Sequence, residues 1–255
     1  MQQGIQQHRT SQFPAALNSW QQALEIYRTI KNRYGEGRAL GYLGNAYDSL
    51  NNYAKAIEYA HQSLAIAREI KDREGEGRAL GNLGGAYLSL GNYAKAIEYL
   101  HQSLAIAREI KDREGEAFTL GNLGIAYKYL GNYTKVIEYA QQHLAIAREI
   151  KDRKREAFAL SLLEIAYKYL GNYTKVIEYA QQHLGIAREI KDRHSEGEAL
   201  RNLGGAYDSL GNYPKAIEYT QQSLAIAREI KDRQGEGVGQ FGKRLHPSEQ
   251  LCQSD

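Results

Sequence analysis

Apolar residues recur along the chain at helical spacing. In residues 77–90, Leu80, Leu83, Ala86, Tyr87 and Leu90 fall at i, i+3, i+6, i+7 and i+10, which is one face of an amphipathic helix. Gly91-Asn92 interrupts the stripe with two residues that tolerate left-handed backbone. A second stripe follows in Tyr93, Ala96, Ile97, Leu100, Leu104 and Ala107, and runs to Ile110. Lys111-Asp112-Arg113 closes the segment. Asp112 has the side chain of an N-cap for the next helix, and Glu114 and Glu116 add negative charge to that helix's first turn. Arg108 and Lys111 place cations at the C-terminus of the helix before, where the helix dipole favours them. Strand-type alternation is absent, so the segment predicts a helical hairpin, which alone cannot bury its apolar face.

The hairpin is repeated. AIAREIKDR begins at Ala65, Ala105 and Ala225, and IAREIKDR follows Ala145 and Gly185. GNY stands at 91, 131, 171 and 211, with NNY at 51, so every recurrence is 40 residues or a multiple of 40 from the last. Residues 37–76, 77–116, 117–156, 157–196 and 197–236 form five full units. Residues 1–36 form a sixth that lacks its first few positions, since Gly4, Phe13 and Gly35 share columns with Gly44, Tyr53 and Gly75. An unbroken period of this length predicts a stacked array rather than a closed fold: all-α, a right-handed α-solenoid (superhelix) of antiparallel hairpins over 1–236. Residues 237–255 leave the pattern as a short tail or truncated capping helix, in which Val238, Phe241 and Leu245 keep helical spacing before Pro247.

Composition removes other classes. Among the 255 residues, 33 Lys and Arg against 30 Asp and Glu give a net charge of +3, too little over six units to track phosphates, so no nucleic-acid partner is expected. One Cys, Cys252, excludes a disulfide framework and a Cys-built zinc site within one chain. His246 lies six residues from it in a polar tail, and the two do not make a catalytic dyad. No apolar run is long enough to span a membrane, and Met1 to Thr10 lacks the apolar core of a signal peptide, which makes a cytoplasmic protein the default. His61 and His101, like His143 and His183, stand one repeat apart, about 10 Å and so too far for one metal shell; they read as surface or seam residues. No cofactor motif appears, because GNLG and GNY are helix and turn pieces with no preceding strand. A non-enzymatic protein is expected. The 20 Tyr are mostly architecture, since three columns of five (Tyr47, Tyr53, Tyr59 and their repeats) hold fifteen of them.

The columns Asn82-Leu83-Gly84-Gly85-Ala86-Tyr87, Gly91-Asn92-Tyr93, Ala96-Ile97, Tyr99 and Leu104 resemble the tetratricopeptide repeat, in which Gly84 takes the place of the small residue between the two helices. The family's usual repeat has 34 residues; the extra six fall in AREIKDR, where the family's terminal Pro is missing. Long repeats of this kind are similar to those of Pins-type spindle-orientation proteins and kinesin light chains. The wording is closest to cyanobacterial arrays often joined to a CHAT (caspase-like) peptidase domain, although no such domain and no Pins-type G-protein-binding segment follows here. In the fourth full unit Glu164 replaces the packing Gly, and just before that unit Arg155 replaces the inter-repeat Gly. A Glu between two closely packed helices is expected to splay the hairpin or to snorkel out.

The resemblance implies a non-catalytic scaffold that binds a peptide or helix of another protein in a concave groove made by the first helix of each hairpin. The alternative it leaves open is a truncated regulatory arm of a CHAT-type peptidase. The incomplete first hairpin exposes an end through which the array could self-associate. The variable columns of the first helices give the groove candidates: Arg38, Arg78, Phe118 and Phe158 in one; Asn45, Ile125 and Ile165 in the next; then Lys128 and Lys168; then Tyr129 and Tyr169. Together they predict an aromatic strip rimmed by Lys, suited to an apolar anchor with acidic neighbours. Against this, residues 125–144 and 165–184 are identical, so the doubled aromatics also fit a copying event, and the Phe side chains also fit packing against a neighbouring hairpin. Asn82, Asn122 and Asn202 are placed to bond a ligand backbone or a helix seam. A clamp for a C-terminal carboxylate is not expected, because Asn45 has Gly41 rather than Lys one turn earlier.

Overall fold

The computed structural model describes residues 1–10 and 12–230. Among these residues the chain is entirely helical: α1 Gln2–Arg9, α2 Phe13–Thr29, α3 Arg33–Ser49, α4 Tyr53–Glu69, α5 Arg73–Ser89, α6 Tyr93–Glu109, α7 Arg113–Tyr129, α8 Tyr133–Glu149, α9 Arg153–Tyr169, α10 Tyr173–Glu189, α11 Arg193–Ser209 and α12 Tyr213–Glu229. The fold is the expected all-α array of stacked hairpins, an α-solenoid in class. It comprises two compact units, residues 1–146 and 147–255, that divide within α8. The tail or capping helix expected at 237–255 lies outside the described residues.

Each helix from α2 on has 17 residues and the turns between them have three, so the 40-residue period is two steps of one plan. Leu90-Gly91-Asn92 shows the plan. The Asn92 N–H donates to the Tyr87 carbonyl at 2.9 Å and the Gly91 N–H to that of Leu88 at 3.0 Å, a Schellman closure with Gly91 at φ +80. Asn92 then serves as N-cap, accepting from the Lys95 N–H at 3.2 Å. Ile110-Lys111-Asp112 repeats this geometry, with Asp112 accepting from the Gly115 N–H at 2.9 Å. Lys111 therefore stands beyond the helix end in left-handed backbone (φ +58), and is not a last-turn cation as its position in the sequence suggests.

The core runs between hairpins. In the first unit, Ala60 and Leu64 of α4 meet Ala79, Leu80 and Leu83 of α5 and Ile106 of α6. Burying each Leu contributes about 2 kcal/mol. The second unit repeats the cluster with Ala180, Leu184, Ala199, Leu200, Leu203 and Ile226. At the N-terminal end α1 is half length, and Trp20 fills the column held by Ala60 in the next hairpin. Its indole is buried and stacks on Tyr42 at 5.2 Å.

The AREIKDR segment accounts for the long repeat. Arg68, at the end of α4, meets Glu76 in the first turn of α5 at 2.8 Å, and Arg73 meets the other oxygen of Glu76 at 2.6 Å. Arg73 also pairs with Glu109 at the end of α6. The same three links recur as Arg148–Glu156, Arg153–Glu156 and Arg153–Glu189 in the second unit. Burial opposes ionisation of Glu76, but the hydrogen bonds from Arg68 and Arg73 override it and hold its carboxyl below the usual range.

Glu164 neither splays its hairpin nor reaches solvent. α9 has the same length as its relatives, and the Glu164 side chain is fully buried. Its Oε1 lies 2.8 Å from His183 Nδ1 of α10, and its Oε2 accepts from the Asn202 side-chain amide of α11 at 2.6 Å. A buried carboxylate is tolerable when its lone pairs are taken up in this way. Three other hairpins hold Ser in the His183 column (Ser63, Ser103 and Ser223), where Ser103 donates to the Gly77 carbonyl at 2.8 Å. Arg155, the second irregular residue, keeps the turn intact: its N–H donates to Asp152 Oδ1 at 3.0 Å.

Candidate functional site

The first helices of successive hairpins present their variable columns to the spaces between them. In the first unit, α3, α4 and α5 enclose a cleft of about 460 Å³. Four of the sequence candidates line it: Arg38, Asn45, Arg78 and Asn82. Asn45 and Asn82 also line a second cleft of about 320 Å³, with Asp48, Gly85 and Phe118. Burial pushes the Asp48 carboxyl up, opposed by a hydrogen bond from Ser89.

Phe118 is 47% exposed and leans towards α5, where its ring edge is 3.5 Å from the point a side chain on Gly81 would occupy. One side of Phe118 packs on the preceding hairpin and the other faces the second cleft. Tyr129 turns elsewhere. Its ring stacks on Tyr93 of α6 at 5.0 Å, with the Lys128 ammonium 4.7 Å from its centroid, and it lines neither cleft. Asn122 and Ile125 are half-buried on α7. In the second unit Phe158, Lys168 and Tyr169 are exposed on α9 and Ile165 is half-buried. Asn202 is engaged with Glu164 and is a seam residue.

Of the four histidines that recur one repeat apart, His61 and His101 are exposed, each edge-on to a tyrosine of the next hairpin (Tyr99 at 6.0 Å, Tyr139 at 6.1 Å). Burial lowers the pKa of both. His143 and His183 are buried.

Both aromatic residues of the first cleft are absent from the sequence candidates. Tyr34 stands where the next repeat has Glu74, and Tyr42 where it has Asn82. Both line the cleft, and Tyr42 carries Trp20 on one face. The signal was available as a departure from the column, although neither residue lies in the columns that vary most. No helix among the described residues is long and apolar enough to cross a membrane.

A tetratricopeptide-repeat family model matches residues 2–69, 75–149 and 155–229. No curated protein matches the sequence. Among solved structures, the chain is similar to a Signal Transduction ATPase with Numerous Domains from Pyrococcus horikoshii that has a tetratricopeptide-repeat sensor. The TM-score is 0.84 at 21% identity, over 96% of this chain and 39% of that one. The nearly identical TPR-like repeats of a Podosopora anserina protein described as a kinesin light chain align with TM-score 0.64 and 22% identity, over 76% of this chain and 95% of that one. A Rap protein complexed with Competence and Sporulation Factor aligns with TM-score 0.69 and 18% identity, over 94% and 71% of the two chains. At these identities the likeness concerns the fold.

Proposed function

Since the chain belongs to the tetratricopeptide-repeat family, we propose that it is a non-catalytic scaffold holding a peptide or helix of another protein along its first helices. The observation that carries this reading is the pair of adjoining clefts in the first unit. Arg38, Asn45, Arg78, Asn82 and Phe118, drawn from three successive first helices, line them, and Asn45 and Asn82 are common to both. Amide groups suit the backbone of an extended ligand, and the exposed face of Phe118 offers an apolar contact beside them. In the second unit α9 repeats these columns with Phe158, Ile165, Lys168 and Tyr169. The Rap protein bound to Competence and Sporulation Factor is a case of this fold with a bound factor, and supports protein binding in general.

Short random-sequence peptides displayed on phage and selected on the full chain test the reading. Peptides that bind the wild type should lose about tenfold or more in affinity for the Phe118→Ala/Phe158→Ala double variant. Its far-UV circular dichroism should stay nearly unchanged, because Phe118 is 47% and Phe158 39% exposed and neither belongs to the buried core. Equal affinity for the two proteins, or no selected peptides at all, would overturn the proposal.

A further inference from the structure

Arg38 differs from every other arginine on the first-helix face of its unit. In the next hairpin the same column holds Arg78, whose guanidinium is neutralised from one turn back by Glu74 at 2.8 Å. One turn before Arg38 stands Tyr34 instead, so that ion pair cannot form. The guanidinium carbon lies 5.7 Å from the Tyr34 ring centroid, and Nη2 reaches the Tyr42 hydroxyl at 3.5 Å. Its Nε–H is shielded and has no hydrogen-bond partner among the described residues. The groups acting on its charge are the two phenols, and no described carboxylate pairs with it. Asp72 is the one acidic residue lining the cleft, and its Oδ1 accepts from the Gly75 N–H at 2.9 Å as the N-cap of α5.

A cation oriented by two aromatic residues, in a cleft, with no counter-ion among the described residues, is a site for an anion. We propose that the cleft between α3, α4 and α5 is a carboxylate subsite, in which an Asp or Glu side chain of a bound peptide pairs with Arg38. The planar fork of Arg38 matches a carboxylate, and Ile66, Ala67 and Ile70 give the side chain's methylenes an apolar floor. One available guanidinium suits a single negative charge. A phosphate dianion would face Asp72 across the same space, with Arg78 already committed to Glu74. The assignment rests on the peptide-scaffold reading and adds the chemistry of one ligand position.

Phage-displayed random peptides, selected in parallel on the full-length wild type and on Arg38→Met, test it. Wild-type peptides should share an acidic position, and exchanging that residue for its amide should weaken wild-type binding about tenfold. The same exchange should cost nothing on Arg38→Met, whereas on Arg78→Met, whatever that variant's own affinity, the amide penalty should remain about tenfold. Trp20 is the only Trp in the chain and stacks on Tyr42, so binding should shift its fluorescence in the wild type and not in Arg38→Met. Arg38→Lys, which keeps the charge and the stem but loses the fork, should bind with intermediate affinity, and it guards against a folding defect in the Met variant. Peptides with no acidic position, an amide penalty that persists on Arg38→Met, or binding of inorganic phosphate in preference to the acidic peptide would overturn the subsite and leave the scaffold reading standing. Absence of any selected peptide would overturn both.

Discussion

Glu164 shows how far a single column can mislead. The repeat asks for Gly there because the neighbouring helix is close: a side chain on Gly84 would come within 2.6 Å of Leu100. On that ground a Glu should be expelled. It stays because the space and the partners are present: Ala180 stands where Leu100 stands, His183 stands where Ser103 stands in the second full unit, and Asn202 approaches from the next hairpin. While Glu164 is ionised, the contact at 2.8 Å places the imidazole proton on Nδ1. Glu164→Gly returns the local wording to the repeat but leaves the buried His183 and the half-buried Asn202 without their acceptor. We expect it to destabilise the second unit by about 1–3 kcal/mol. Glu164→Gly/His183→Ser restores the pairing of residues seen at Gly204 and Ser223, and should recover most of that loss. Urea unfolding followed by circular dichroism compares the two; a double variant no more stable than the single would show that the cost is not an orphaned hydrogen-bonding group.

At the scale of the helices, what was legible in the sequence is what repeats locally. The N-cap at Asp112 and the stripes of Leu and Ala could be read directly because capping and amphipathicity depend on residues within one helix, whereas Asn92, read as a residue of left-handed backbone, is an N-cap with φ −90. The AREIKDR segment was visible as a mixed-sign ladder, but its logic depends on antiparallel packing, which returns the end of α6 to the start of α5 and so gives Arg73 both Glu76 and Glu109. The clefts were legible only in part, since they form where hairpins stack, and Tyr34 and Tyr42 stand where the next repeat has Glu74 and Asn82. The ladder carries a pH prediction. The folded carboxyl of Glu76 lies below its unfolded value, so its contribution is present above about pH 5 and is lost as pH falls through the folded value. Glu36 and Glu156 shift in the same direction, which adds to the effect. Wild type should therefore lose stability on acidification below about pH 4, whereas Glu76→Gln should begin less stable at neutral pH and decline less steeply. Melting temperatures across that range, at constant salt, read the difference; parallel curves for the two proteins would remove the ladder as a source of acid lability.

For the molecule as a whole, an unbroken period makes the hairpin the unit of assembly. Each interface within the first unit is built from the same columns: α4 on α5 and α6 on α7 both bury Ala and Leu of the incoming first helix. Stability in such an array approximates a sum of repeat and nearest-neighbour terms, and whole repeats are removable where fractions of a repeat are not. Deleting residues 77–116 joins Glu76 to Ala117, which fuses the first turn of α5 to the body of α7 and restores a helix of the standard length. Arg68 keeps Glu76, and Asp72 keeps its N-cap partner Gly75. The first cleft changes in a defined way, because Phe118 takes the column of Arg78 and Asn122 that of Asn82, while Arg38, Tyr34 and Tyr42 stay. The shortened protein should fold with unchanged ellipticity per residue and a modestly lower melting temperature. Deleting residues 77–106 instead removes less chain but shifts every later column out of register, and should cost cooperative unfolding altogether. If both deletions melt alike, the columns do not set the stacking. If the in-register deletion also keeps binding the peptides selected on the wild type, recognition rests on Arg38 and its aromatic neighbours rather than on Arg78 and Asn82.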